Sequence, residues 1–200
     1  STHFSPLPEV DMHIVQQYIP EKGFLFFLGN TDPKKNTEHV LKAYSLYLQR
    51  SATKRPLLIA DLQEEYIDRV LQQEGIADIK RHLYHPGYIP NSHLATLYNA
   101  SFAFLYPSLR ESFGIPLLEA MACGTPVVTG NTSAMPEVAG SGALTVDPSK
   151  PEEIADRLLQ LEQNPTLYQE QKAYGPQRAQ QFSWAQTARE LSKVYQSIKI

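Results

Sequence analysis

Phe102-Ala103-Phe104-Leu105-Tyr106-Pro107-Ser108-Leu109-Arg110-Glu111-Ser112-Phe113-Gly114-Ile115-Pro116-Leu117-Leu118-Glu119 runs from an apolar segment through a polar loop into a helix-forming one. The unbroken apolar run Phe102 to Tyr106 predicts a strand covered on both faces, as strands of parallel sheets are. Pro116 suits the first turn of a helix, where its missing N–H is no loss. The helix then runs to Cys123 and closes at Gly124. A buried strand followed directly by a helix is the repeating unit of a parallel α/β sheet.

The same alternation extends in both directions. Upstream, Phe24 to Leu28 and Leu57 to Ala60 predict buried strands, and Ile79 to Tyr84 a third. Helical spacing separates them over Thr37 to Gln49 and Gln63 to Gln73, and Leu94 to Ala100 leads into the Phe102 strand. Downstream, Pro126 to Thr129 and Ala143 to Val146 complete about six strands, and the pattern from Pro151 onward is helical. Right-handed βαβ crossovers then give one Rossmann-like, doubly wound parallel sheet with helices on both faces and a helical C-terminal tail. Residues 1–23 carry three prolines without a sustained period and read as a linker or arriving segment, so the domain is expected over residues 24–200.

Composition narrows the function classes. With 200 residues and 42% hydrophobic content, one compact domain with a sizeable core is expected. A formal net charge of −3 gives no reason to expect a nucleic-acid partner. Cys123 is the single cysteine, which rules out an intrachain disulfide and favours a reducing, cytoplasmic setting. No window is apolar enough to span a bilayer. His82, His85 and His93 lie near one another, but no cysteine or carboxylate completes a metal-ligand spacing, and no Asp-x-Asp pair occurs. No metal or other cofactor is expected.

In doubly wound sheets ligands bind outside the carboxyl ends of the strands, so the loop after Tyr106 carries the most weight. The amides of Phe113, Gly114, Ile115 and Leu117 lie at or just inside the helix start, where intrahelical acceptors are lacking. Those donors and the helix dipole favour an anion. Gly114, without a Cβ, permits close approach to the backbone. Glu111 in the loop and Glu119 in the helix flank this anion cradle, and a carboxylate suits a vicinal diol by accepting two hydroxyl hydrogen bonds. An anion site between two diol readers matches a sugar-diphosphate-nucleoside. Taken singly, a glutamate near a helix start is ordinary dipole compensation; the whole string is the stronger signal.

Glu111-Ser112-Phe113-Gly114-Ile115-Pro116-Leu117-Leu118-Glu119-Ala120-Met121-Ala122-Cys123-Gly124-Thr125-Pro126-Val127-Val128 resembles the signature of family-4 retaining glycosyltransferases of the GT-B fold, with serine at position 112 where glycine is usual. The resemblance runs from Phe24 to about Tyr195 and covers only the C-terminal, donor-binding half of such enzymes. It implies that Glu119 binds the ribose hydroxyls and Glu111 contacts the transferred sugar. The amides of Phe113, Gly114, Ile115 and Leu117 would hold sugar hydroxyls and diphosphate. It also implies a separate N-terminal acceptor-binding half, through which peripheral membrane association can arise.

Gly29-Asn30-Thr31-Asp32-Pro33-Lys34-Lys35-Asn36 follows the first strand and is neither a P-loop nor a dinucleotide fingerprint. In the family this turn usually reads Gly-Arg, with a lysine five positions after the arginine. Lys35 fills the lysine position, Asn30 stands where the arginine is usual, and Lys34 offers a second charge. The resemblance thus adds Gly29, Asn30 and Lys35 to the donor site and makes Lys35 and Glu111 the catalytic candidates. In Gly87-Tyr88-Ile89-Pro90 the Ile89 amide corresponds to the family's nucleobase contact. Ser133, ahead of Met135-Pro136-Glu137, reads as a helix cap. The aromatic stripe Phe182, Trp184 and Tyr195 reads as core packing, although in the family the closing helix crosses to the other half.

The function expected on these grounds is transfer of a hexose from a UDP- or GDP-sugar, with retention, in polysaccharide biosynthesis. A GT-B nucleotide-sugar epimerase and a non-catalytic nucleotide- or carbohydrate-binding module are the alternatives. A dehydrogenase is disfavoured because no G-x-G-x-x-G occurs.

Overall fold

The computed structural model describes residues 3–198. Six parallel strands, β1 (Leu25–Leu28), β2 (Leu57–Ala60), β3 (Leu83–Gly87), β4 (Ala103–Tyr106), β5 (Val127–Gly130) and β6 (Leu144–Val146), form one sheet in the order β3-β2-β1-β4-β5-β6. Alternate residues of each strand face opposite layers. Leu25, Phe27, Leu57, Ile59, Ala103 and Leu105 pack under α2 (Thr37–Arg50), α3 (Glu64–Gln73) and α7 (Pro151–Gln163). Phe26, Leu58, Ala60, Phe104 and Tyr106 pack under α4 (Asn91–Ala100), α5 (Ile115–Ala122) and α6 (Met135–Ala139). Each fully buried Leu, Ile or Phe here contributes about 1.5–3 kcal/mol of apolar burial. That double coverage explains why β1, β2 and β4 read as unbroken apolar runs.

The structure departs from the sequence expectation at the third strand and at the aromatic stripe, and it resolves the expected helical tail into its helices. The expected strand over residues 79–84 begins later: Ala77–His82 wind into a 3-10 turn, and the pairing starts at Leu83 opposite Leu57. Of the 3-10 residues only Ile79 is buried, so the segment offers no apolar run to lay along β2. The helical tail is three helices, α7, α8 (Pro165–Ala179) and α9 (Trp184–Ser197), with Asn164 capping the break by accepting the Leu167 amide. α8 lies against α5, and Gly175 makes that possible, since a Cβ there would stand 2.7 Å from the Met121 carbonyl oxygen. Finally, Trp184 and Tyr195 are not core: they are 73% and 66% exposed, and α9 buries no residue. Its apolar stripe has no partner among the described residues. Phe182, by contrast, packs edge-on against Phe113 at 5.8 Å.

The opening stretch contains the short helix α1 (Met12–Val15), and Val15 and Ile19 are buried in the layer formed with α4. No helix among the described residues is long and apolar enough to cross a membrane.

Candidate functional site

β1 is hydrogen-bonded to β2 on one side and β4 on the other. The chain leaves β1 toward the α2 layer and leaves β4 toward the α5 layer. The loops after these two strands therefore part to opposite faces and open a crevice between them, the position where doubly wound sheets bind ligands. Both motifs singled out in the sequence lie there.

In the turn after β1, Asn30 Oδ1 accepts the Asp32 amide at 2.8 Å and Asp32 Oδ1 accepts the Lys34 amide at 3.0 Å. These two bonds wind Pro33–Lys35 into a 3-10 turn. Lys34 reaches back to the Asp32 carboxylate at 2.9 Å, largely exposed. Lys35 points the other way, across the crevice, with its Nζ 2.6 Å from Glu111 Oε1 and 3.4 Å from the Tyr106 hydroxyl. The side chains of Lys35 and Glu111 are only 19% and 13% exposed. Asn30 thus serves its own turn through its carbonyl oxygen, and only its Nδ2 is left for a ligand. Gly29 is buried beneath the turn, where a Cβ would stand 2.8 Å from the Leu62 side chain.

The loop after β4 is braced from β5. The Glu111 amide donates to Ser133 Oγ at 3.0 Å, and Thr132 Oγ1 donates to the Leu109 carbonyl at 3.2 Å. Ser133 is therefore not the expected helix cap: it has φ 52°, and α6 starts after Ala134 without a side-chain cap. Gly114 caps α5 at φ 95°, and a Cβ there would lie 2.6 Å from the Met135 methyl. The structure thus requires glycine for the chain's own packing as well as for ligand approach. The amides of Phe113, Gly114 and Ile115 have no acceptor among the described residues, whereas the Leu117 amide, expected to be free, donates to the Gly114 carbonyl at 3.1 Å. The helix start tightens on itself, which removes Leu117 from the free donors. The side chains of Phe113 and Ile115 are exposed beside this opening. Lys34, Arg110, Glu111 and Ser112 line a cleft of about 430 Å³.

The two glutamates differ in their electrostatic surroundings. Burial pushes the Glu111 carboxyl up, but the Lys35 ammonium and the Tyr106 hydroxyl outweigh it, so it sits below the usual carboxylate range. Glu119 has no such ion pair among the described residues: burial holds its carboxyl above that range, against the pull of the nearby Tyr98 hydroxyl. That hydroxyl is buried and makes no well-formed hydrogen bond. Tyr106, raised chiefly by its own burial, also feels both Glu111 and Glu119. The phenol at the end of β4 thus sits beside the Lys35–Glu111 pair. Sequence reasoning missed it, although its place as the last residue of the apolar run was a signal. Ile89, beyond β3, is 3% exposed, and its amide has no acceptor among the described residues. His93, considered above as a metal ligand, instead shares a 2.6 Å hydrogen bond with the Tyr18 hydroxyl.

A sequence model described as "Glycosyl transferases group 1" matches residues 12–199. The chain belongs to that family. It is 33% identical over 178 residues to the O-antigen chain mannosyltransferase B of Escherichia coli, covering 88% of this chain and 47% of the relative. Among solved structures, the C-terminal domain of a glycosyl transferase group 1 family protein from Francisella tularensis superposes with a TM-score of 0.75 at 21% identity. That match covers 90% of this chain and 95% of that domain. Anabaena HepE in complex with UDP and glucose gives a TM-score of 0.76 at 17% identity, covering 98% of this chain and 54% of HepE. These matches share the fold, the Rossmann-like half of a GT-B protein. The chain spans less than half the length of the curated relatives it matches.

Proposed function

We propose that this chain is the nucleotide-sugar-binding half of a retaining hexosyltransferase that uses a UDP- or GDP-hexose to extend a glycan. The observation that carries the reading is the convergence, at the sheet's switch point, of the Lys35–Glu111 pair with three free amides at the start of α5, the helix that carries Glu119. The donor's diphosphate lies against the amides and Lys35, which take up the charge that develops on the leaving nucleoside diphosphate. No metal is required for that step. Glu119 accepts the ribose hydroxyls, the Ile89 amide meets the base, and Glu111 orients the hexose. HepE in its complex with UDP and glucose and the mannosyltransferase among the relatives support a sugar donor of this class.

Acceptor binding falls to an N-terminal half. Its contact in this reading is the exposed stripe of Trp184, Leu191, Val194 and Tyr195 on α9. The isolated chain then binds donor but transfers sugar poorly. A thermal-shift panel of UDP-, GDP- and ADP-hexoses tests the reading: the native donor raises Tm by mass action, and a flat response to all three contradicts it.

A further inference from the structure

Asn36 joins the turn after β1 to α2 in the left-handed region, at φ 65°, and is 3% exposed. Glycine adopts that conformation most cheaply, so a buried asparagine there draws attention to what its side chain does. Nδ2 donates one hydrogen to the Pro107 carbonyl at 2.9 Å and the other to the Pro148 carbonyl at 2.6 Å. Oδ1 shares a 2.5 Å hydrogen bond with His39 Nδ1, which fixes the ring's proton on that nitrogen. One amide therefore ties the turn after β1 to the loops after β4 and β6. A second tie lies two residues away, where the Leu109 amide donates to the Lys34 carbonyl at 2.8 Å. The residue between the two ties is Lys35, and the loop they hold carries Glu111.

We infer that Asn36 is a positioning residue for the diphosphate site, clasping the turn after β1 to the loop after β4 so that the Lys35 ammonium is held where the donor's phosphates bind. The inference rests on the donor-binding reading above. The pattern of donors is specific to this side chain. Aspartate would set oxygens against two carbonyls, and serine has one proton for two acceptors. Glycine keeps the backbone conformation and loses only the clasp.

The test is calorimetry on this chain with UMP, UDP, GMP and GDP, because the step from mono- to diphosphate isolates the phosphate contacts. Asn36→Gly is expected to weaken the diphosphate about tenfold and the monophosphate less than about threefold. Because Asn36 acts through Lys35, the double variant Asn36→Gly/Lys35→Ala is expected to bind within about twofold of Lys35→Ala alone. Equal losses for mono- and diphosphate, or losses that multiply in the double variant, overturn the inference in favour of a purely structural role. If Asn36→Gly does not fold, His39→Leu removes the ring donor that orients the amide. It is expected to weaken the diphosphate about threefold with the monophosphate unchanged, and no selective loss overturns the inference. A parent chain that binds neither UDP nor GDP removes the donor-binding reading itself, and this inference with it.

Discussion

Replacing Lys35 with methionine keeps most of the side chain's volume and removes the ammonium that pairs with Glu111 at 2.6 Å. Both side chains are less than one-fifth exposed, so the Glu111 carboxylate would be left largely buried without the cation it pairs with. Losing a hydrogen bond to a charged group costs about 1.5–3 kcal/mol. For a chain of this size each kcal/mol moves Tm by about 2–4 °C, so Lys35→Met is expected to lower Tm by about 3–12 °C at neutral pH. Replacing both partners with neutral groups of similar shape leaves nothing unpaired, and Lys35→Met/Glu111→Gln is expected to recover to within about 1 kcal/mol of the parent.

The pH dependence gives a second check on this prediction. In the parent, the Glu111 carboxyl sits below its usual value, so its contribution to stability is present above the ordinary carboxylate pKa and lost as the pH falls through the lowered one. In Lys35→Met, burial acts without the ammonium and pushes that carboxyl up. The variant's deficit is then widest at neutral pH and narrows as acid protonates Glu111. Thermal unfolding followed by circular dichroism across pH measures both effects. An unchanged Tm in Lys35→Met, or a double variant less stable than Lys35→Met, refutes the buried-pair reasoning.

Three further outcomes follow from the geometry. Gly114→Ala forces a Cβ into the Met135 methyl at φ 95° and is expected to cost about 1–3 kcal/mol, read as a lower denaturation midpoint, with donor binding lost. Glu119→Gln removes a carboxylate that burial holds above its usual pKa; it is expected to raise the Tm of the free chain at neutral pH, a gain that shrinks as the pH falls through the raised value, while weakening nucleotide binding. Leu191→Asp on α9 is expected to change stability by no more than about 0.5 kcal/mol, because that face packs on nothing described; a larger loss in urea unfolding would mean that α9 is anchored on its own domain.

How much of this was legible in the sequence depends on which interactions are local. The strands at Leu25, Leu57 and Ala103 were readable because burial on both faces leaves an unbroken apolar run, and those at Val127 and Leu144 because short apolar stretches recur between helical ones. The third strand was misplaced because Ile79 supplies one anchor without a continuous face, and the register is set from outside, by β2. Lys35, Glu111, Gly114 and Glu119 were nameable from motif and spacing. The pairing of Lys35 with Glu111 beside Tyr106 was not, since it depends on which strands are neighbours. Ser133 looked like a cap because serine before a helix often is one; the structure puts it in the left-handed region and uses its hydroxyl to hold the Glu111 amide. Leu117 was counted among free donors because the helix start was expected one residue later than Ile115, where it begins. The stripe on α9 announced a helix correctly, but periodicity cannot say what covers an apolar face.

The central claim is that the segment from Glu111 to Glu119 binds the donor's nucleoside diphosphate, and the most direct measurement is isothermal titration of UDP and GDP into the parent chain and Glu119→Ala. The account predicts saturable binding of one of the two, weakened at least about tenfold, or roughly 1.4 kcal/mol, by the substitution. Equal affinity in parent and variant would contradict the ribose assignment, and no binding of either nucleotide would contradict the site.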